Sequence, residues 1–193
     1  MFKKIIFVAA FAIVAISASA QAKFGLKGGI SFANAKTVSG NTTETYNSLV
    51  TPTGGITIDF PGSKSFHIQS GLIYNGMGGK MSEEGTDVTI NLGYLSIPVL
   101  AKFELGSGFQ GYVGPQLSFL MSATAKSLGM SVDMKDLIKG TGMFGVFGLG
   151  YKVSDKVNVF GEYVAGFSNL SKITENNTKT TTDAFSIGLG FNF

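Results

Sequence analysis

The last residues of the chain, Phe185-Ser186-Ile187-Gly188-Leu189-Gly190-Phe191-Asn192-Phe193, alternate without a break. In an extended strand Phe185, Ile187, Leu189, Phe191 and Phe193 share one face, and Ser186, Gly188, Gly190 and Asn192 share the other. The same period of two runs back through the chain. Leu95, Ile97, Val99, Ala101, Phe103 and Leu105 oppose Tyr94, Ser96, Pro98, Leu100, Lys102 and Glu104, and Ile56, Ile58 and Phe60 oppose Thr57 and Asp59. Eight such segments are predicted, at 24–33, 52–60, 66–77, 94–105, 109–121, 141–153, 157–168 and 183–193. Most reach the ~9–11 residues that a tilted transmembrane strand needs.

The connections carry separate information. Pro61-Gly62-Ser63-Lys64-Ser65, Gly106-Ser107-Gly108 and Ser154-Asp155-Lys156 are short and rich in turn formers. The links at 34–51, 78–93, 122–140 and 169–182 are longer and polar. Short and long links alternate along the chain, so all turns fall on one rim and all long loops on the other. Both termini then lie on the turn rim. This pattern predicts an all-β fold: an eight-stranded antiparallel up-and-down transmembrane β-barrel with short periplasmic turns and longer extracellular loops.

A soluble eight-stranded cup would place its large apolar residues inside. Here the strand charges Lys27, Asp59, Lys102, Glu104, Lys152 and Glu162 share a face with Gly, Ser, Asn and Gln, while Phe, Ile, Leu and Val fill the opposite one. Aromatic residues cluster at the ends of the apolar face: Phe60, Phe66, Phe103, Phe109, Tyr151 and Phe193 toward the turns, and Phe32, Tyr74, Phe119, Phe167 and Phe185 toward the loops. Two such girdles around an apolar band mark a membrane barrel, and an open edge could not persist in lipid. The barrel is narrow enough for side chains to fill its lumen, so Lys27, Lys102 and Lys152 are expected to pair there with Asp59, Glu104 and Glu162. General porin activity is not expected of so narrow a lumen.

Residues 1–20 read as a cleaved signal peptide. Lys3 and Lys4 precede an unbroken apolar stretch from Ile5 to Ile16, and Ala18-Ser19-Ala20 supplies the small residues of a cleavage site. The stretch is shorter than the ~20 residues of a spanning helix. Gln21 is the expected mature N-terminus, with the barrel domain at 21–193, exported to the bacterial outer membrane.

Composition narrows the function classes. The 15 basic residues are all Lys, and removing Lys3 and Lys4 leaves 13 against 12 acidic, a nearly neutral mature chain that gives no reason to expect a nucleic-acid partner. With no Cys there is no thiolate site and no disulfide framework, whereas 27 Gly and 17 Phe suit a crowded barrel wall.

Several segments resemble the PorT-like outer-membrane β-barrel family, among small barrels of the OmpA and OmpX kind. Phe24-Gly25-Leu26-Lys27-Gly28-Gly29-Ile30-Ser31-Phe32 is similar to its opening strand, and Tyr94-Leu95-Ser96-Ile97-Pro98-Val99-Leu100-Ala101-Lys102-Phe103 to its most recognisable one. Gly111-Tyr112-Val113-Gly114-Pro115, Gly166-Phe167-Ser168-Asn169-Leu170 and the closing Gly188-Leu189-Gly190-Phe191-Asn192-Phe193 follow the same pattern. The resemblance covers almost the whole mature chain and implies fold and location. Some relatives serve secretion or gliding machinery, and the terminal aromatic Phe193 is of the kind that the barrel-assembly machinery recognises.

The enzymatic alternative is a barrel hydrolase acting on lipid A or surface peptides, which needs a nucleophile, a base and an orienting acid in mutual reach. His67, the only histidine, sits beside a turn and faces the lumen, whereas Ser70 falls on the opposite face. No catalytic, cofactor or metal site is therefore assigned, since Asp133 and Asp136 lack further ligands at calcium-loop spacing. Residues Asp133–Lys139 read as a short helix capped by Asp133, with Met134, Leu137 and Ile138 on one face. The expectation is a non-enzymatic scaffold set among outer-membrane lipid and lipopolysaccharide, displaying its loops to a protein or surface ligand.

Overall fold

A computed structural model of the protein describes residues 22–40, 42–83, 86–172 and 178–193. The signal-peptide expectation at 1–20, and Gln21 with it, lies outside the described residues. The strands are β1 (Lys23–Ser39), β2 (Thr42–Thr45), β3 (Leu49–Pro61), β4 (Phe66–Glu83), β5 (Thr86–Gly106), β6 (Phe109–Ser127), β7 (Met130–Asp133), β8 (Thr141–Lys152), β9 (Val157–Gly166) and β10 (Lys179–Asn192).

Eight of them form an antiparallel ring in the order β1-β3-β4-β5-β6-β8-β9-β10, closed by pairing of β10 with β1. The closing seam runs from Gly25↔Asn192 to Val38↔Lys179. The two remaining strands, β2 and β7, are short and fold back beside the loop-rim ends of β1 and β6. All eight expected segments lie on ring strands, and the three short turns fall where the sequence places them.

The long links differ from the reading of 34–51, 78–93, 122–140 and 169–182 as loops, because β1, β3, β4, β5, β6 and β10 continue into them as paired ladders. Ile90↔Ala125 and Leu92↔Ala123 keep the alternation going above the apolar belt. The outer face there is polar (Thr89, Asn91, Thr124, Lys126), so the stretch reads as a loop by composition while its inner face still packs. Asp133–Lys139 is not a helix. Asp133 Oδ1 accepts the Lys135 amide at 2.8 Å and Leu137 N donates to Met134 O, so the aspartate caps a single turn. Met134 and Ile138 pack inward, whereas Leu137 is exposed.

One irregularity re-aims side chains. Gly93 pairs Ser122 but Tyr94 pairs Leu120, which leaves Met121 as an extra residue in β6. Leu120 and Ala123, three positions apart, therefore both point inward. Of the expected girdles, Phe103, Phe109, Tyr151, Phe193, Tyr74, Phe167 and Phe185 are exposed on the outside. Two cross-strand pairs reinforce the turn rim, Phe66–Phe103 at 5.3 Å and Phe109–Tyr151 at 4.9 Å. Phe60 departs from the pattern: only 7% exposed, it is packed rather than presented outward.

Candidate functional site

The lumen is layered along its axis. In the turn-side half every expected lysine finds a carboxylate. Lys27 Nζ donates to Glu162 Oε2 at 2.6 Å and lies 4.3 Å from the Phe160 ring centroid, while Tyr112 donates its hydroxyl to the same carboxylate oxygen at 3.2 Å. Lys102 Nζ stands 3.5 Å from Asp59 Oδ2, whose carboxylate also accepts the Gln69 amide at 3.0 and 3.2 Å. Glu104 Oε1 takes Lys152 Nζ at 2.8 Å and Gln110 Nε2 at 2.7 Å. The Lys152 side chain is 42% exposed at the turn rim, whereas Lys27 and Lys102, both largely buried, would be costly in the lumen without these partners. Between them remains a cavity of about 30 Å³ lined by Lys27, Thr57, Gln69, Lys102, Gln110 and Tyr112.

A layer of hydroxyls and amides follows. Ser31 and Ser186 are 2.7 Å apart across the closing seam; Thr53, Asn75, Ser96, Ser118 and Gln116 form a continuous hydrogen-bonded chain. Above it the lumen turns apolar. Tyr94, Phe144, Met77, Leu92, Leu120 and Val164 fill the loop-side half, with Tyr94 edge-on to Phe144 at 5.8 Å. Two residues from outside the ring complete this plug, Ile138 after β7 and Leu170 after β9. Their segments are tied together by Lys139 N to Leu170 O at 2.7 Å and Lys172 N to Leu137 O at 2.9 Å, and Leu170 N donates to Thr180 O of β10. Sequence reasoning missed this plug, although Ile138 was singled out; two loops must meet before it exists. Tyr112, Gln69 and Gln110 were also missed as network partners, though strand parity places all three inward.

Among the described residues, His67 and Ser70 do not come together as base and nucleophile. His67 Nε2 is 3.6 Å from Glu104 Oε1, beyond hydrogen-bond length. Ser70 donates to the Pro98 carbonyl at 2.8 Å, away from that imidazole. No cluster of three or more His, Asp or Glu side chains suited to a metal occurs among the described residues.

The outer surface decides the setting. Phe24, Leu26, Ile30, Ile56, Leu72, Val99, Phe147, Leu149, Ile187 and Leu189 are all exposed around the ring, a band of apolar side chains that water would not tolerate. Residues 17–172 match the outer membrane protein beta-barrel domain family.

The chain belongs to that family.

Its place is accordingly the outer membrane, and the exposed band is its lipid-facing wall. No curated protein matches the sequence. Among solved structures, this outer membrane barrel is similar to Neisserial surface protein A, with a TM-score of 0.58 at 17% identity over 88% of this chain and 97% of that one. Ail, the attachment invasion locus protein of Yersinia pestis, has a TM-score of 0.48 at 12% identity (88% and 98% covered). OprG from Pseudomonas aeruginosa has a TM-score of 0.48 at 13% identity (90% and 97% covered). At these identities the likeness to the Neisserial protein concerns the fold alone.

Proposed function

We propose that this outer membrane barrel is a non-enzymatic scaffold that presents its loop rim to a partner outside the cell. The observation that carries the reading is the β6–β7 hairpin. Its two-residue turn, Leu128-Gly129, has φ of 48° and 79°, a geometry that favours Asn-Gly. Leucine there is strained by its left-handed backbone, and it is also 75% exposed. Met130 and Val132 beside it are exposed too. Apolar side chains held out on a strained turn suit contact with another surface better than stability. The plugged lumen supports the same reading, since its described residues fill the space between the strands.

Around this core reading stand the finer roles. The chain is exported by cleavage after Ala20, and Phe193, 70% exposed at the turn rim, is the handle for the barrel-assembly machinery. The belt sits among outer-membrane lipid and lipopolysaccharide. An accessory role in secretion or envelope integrity, as in PorT-like barrels, fits a rigid wall with an adhesive rim.

The test is a deletion strain complemented with wild type or with Leu128→Asn/Met130→Thr/Val132→Thr. Asn-Gly suits the turn, so the variant should fold at least as well and shift on heating as wild type does. Envelope integrity and surface adhesion should be restored by wild type and not by the variant. Full rescue by a folded variant would overturn the proposal.

A further inference from the structure

The charged groups that line the turn-side cavity of about 30 Å³ are of one sign. Lys27 and Lys102 reach its surface, whereas their partners Glu162 and Asp59 stand behind them and do not line it. Lys27 is closely held, 2.6 Å from its carboxylate. Lys102 is not. It is only 8% exposed, yet its carboxylate contact is 3.5 Å long, beyond the usual length of such a bond. An ammonium carries three donors, so a buried one with a single long contact has donors left for whatever the cavity holds. Thr57, Asn158 and Asn192 line the same space, and their side chains make no hydrogen bond among the described residues.

Gly150 keeps this space open. A Cβ there would meet Val159 O at 3.4 Å and Gln110 Oε1 at 3.7 Å, both ordinary contacts, and its backbone is not left-handed. Gly148, the next inward residue of β8, differs, because a Cβ on it would run into the Tyr112 ring. Glycine inside a strand costs stability, and at position 150 neither clearance nor conformation requires it.

We propose that this cavity is a site for one small monovalent anion of the halide class. Its volume has room on the order of two water molecules, which suits a small inorganic ion. Coulomb attraction falls with distance, and the nearer charges are the two ammoniums. A single negative charge suits the site, because the carboxylates behind already balance both lysines and every further charge adds to a surplus. The ion gives Lys102 the close partner that Asp59 does not. It enters from the turn rim, where Asn158 pairs Lys152 beside the 154–156 turn, since the layers above are filled.

The test uses the full-length mature barrel. Crystals grown in sodium bromide should show an anomalous peak in the cavity, in contact with the Lys27 and Lys102 ammoniums. In lipid vesicles at constant ionic strength, replacing gluconate by chloride should raise the urea midpoint by roughly 0.5 M at a tenfold excess over Kd. Gly150→Val fills the cavity and leaves both ion pairs in place. It should shift on heating as wild type does, and lose both the peak and the chloride dependence. Asp59→Asn removes one opposing charge and should tighten chloride binding severalfold, which serves if Gly150→Val does not fold. Water alone in the wild-type cavity overturns the proposal, as does bromide confined to exposed lysines such as Lys64, an adventitious ion only. A cavity peak without chloride-dependent stability is binding at crystal concentration only and also overturns it. So does chloride dependence that survives in a folded Gly150→Val, or an Asp59→Asn variant that binds no more tightly.

Discussion

Lys27 and Glu162 stand 135 positions apart in the chain and 2.6 Å apart in the lumen. Glu162 is almost fully buried, and its oxygen also receives the Tyr112 hydroxyl. Glu162→Leu alone strands a buried ammonium and should cost about 3–5 kcal/mol. Combining it with Lys27→Met should recover much of that loss. Urea unfolding in lipid vesicles reads both, and strictly additive losses would show that the two groups are not coupled.

A second pair separates clearance from exposure. An alanine methyl at Gly188 would run into the Gly28 carbonyl, whereas one at Gly28 has nothing within 4 Å. Gly188→Ala should therefore reduce the folded, heat-shifting fraction, and Gly28→Ala should change stability by no more than about 0.5 kcal/mol. Densitometry of unboiled gels compares them directly.

The wall itself is tested at Leu189, which is 59% exposed and faces lipid. Leu189→Lys should destabilise the barrel by about 2–4 kcal/mol, the cost of an ammonium near the bilayer midplane. A lysine variant as stable as wild type would mean that the two faces are inverted.

The plug makes a statement about conduction. With Ile138 and Leu170 in place, the loop-side half of the lumen is filled mainly by apolar side chains, a barrier to ions. Wild type should be silent in planar bilayers, and Ile138→Ser/Leu170→Ser should lower stability while staying silent, because Tyr94, Phe144 and the ion-paired layer still fill the lumen. Open-channel conductance by the wild type would contradict the layered lumen.

Export is tested by mass. Protein extracted from outer membranes should begin at Gln21, and a retained Met1 segment would show that the first twenty residues are not a cleaved signal.

Much of this molecule was legible from alternation alone. Leu189 out and Gly190 in, or Phe103 out and Lys102 in, follow from the period of two once one face is known to be greasy. The pairing of three lysines with three carboxylates followed from the width of the barrel. What stayed hidden has physical reasons. Above the belt a strand needs no greasy outer face, so Thr89, Asn91 and Lys126 looked like loop residues. The extra residue at Met121 leaves no mark, since Leu120-Met121-Ser122 could fit either register. Parity puts Phe60 on the outer face of its strand, but alternation cannot tell that its side chain is buried. The plug depends on Ile138 meeting Leu170, a contact between two long links that no local pattern encodes.

The closing seam has a consequence for how the molecule is made. Gly25 pairs Asn192, so the first ring strand waits for the last residues of the chain. Until β10 arrives, β1 and β9 each expose an unpaired edge, which a hydrocarbon environment penalises at every amide. Ring completion cannot proceed while the chain is still being synthesised, and the long sequence separation makes the closing search slow. The ring therefore closes only once both seam strands are available. Substitutions in the seam should then act first on the rate at which barrels appear, before any loss of the finished ones.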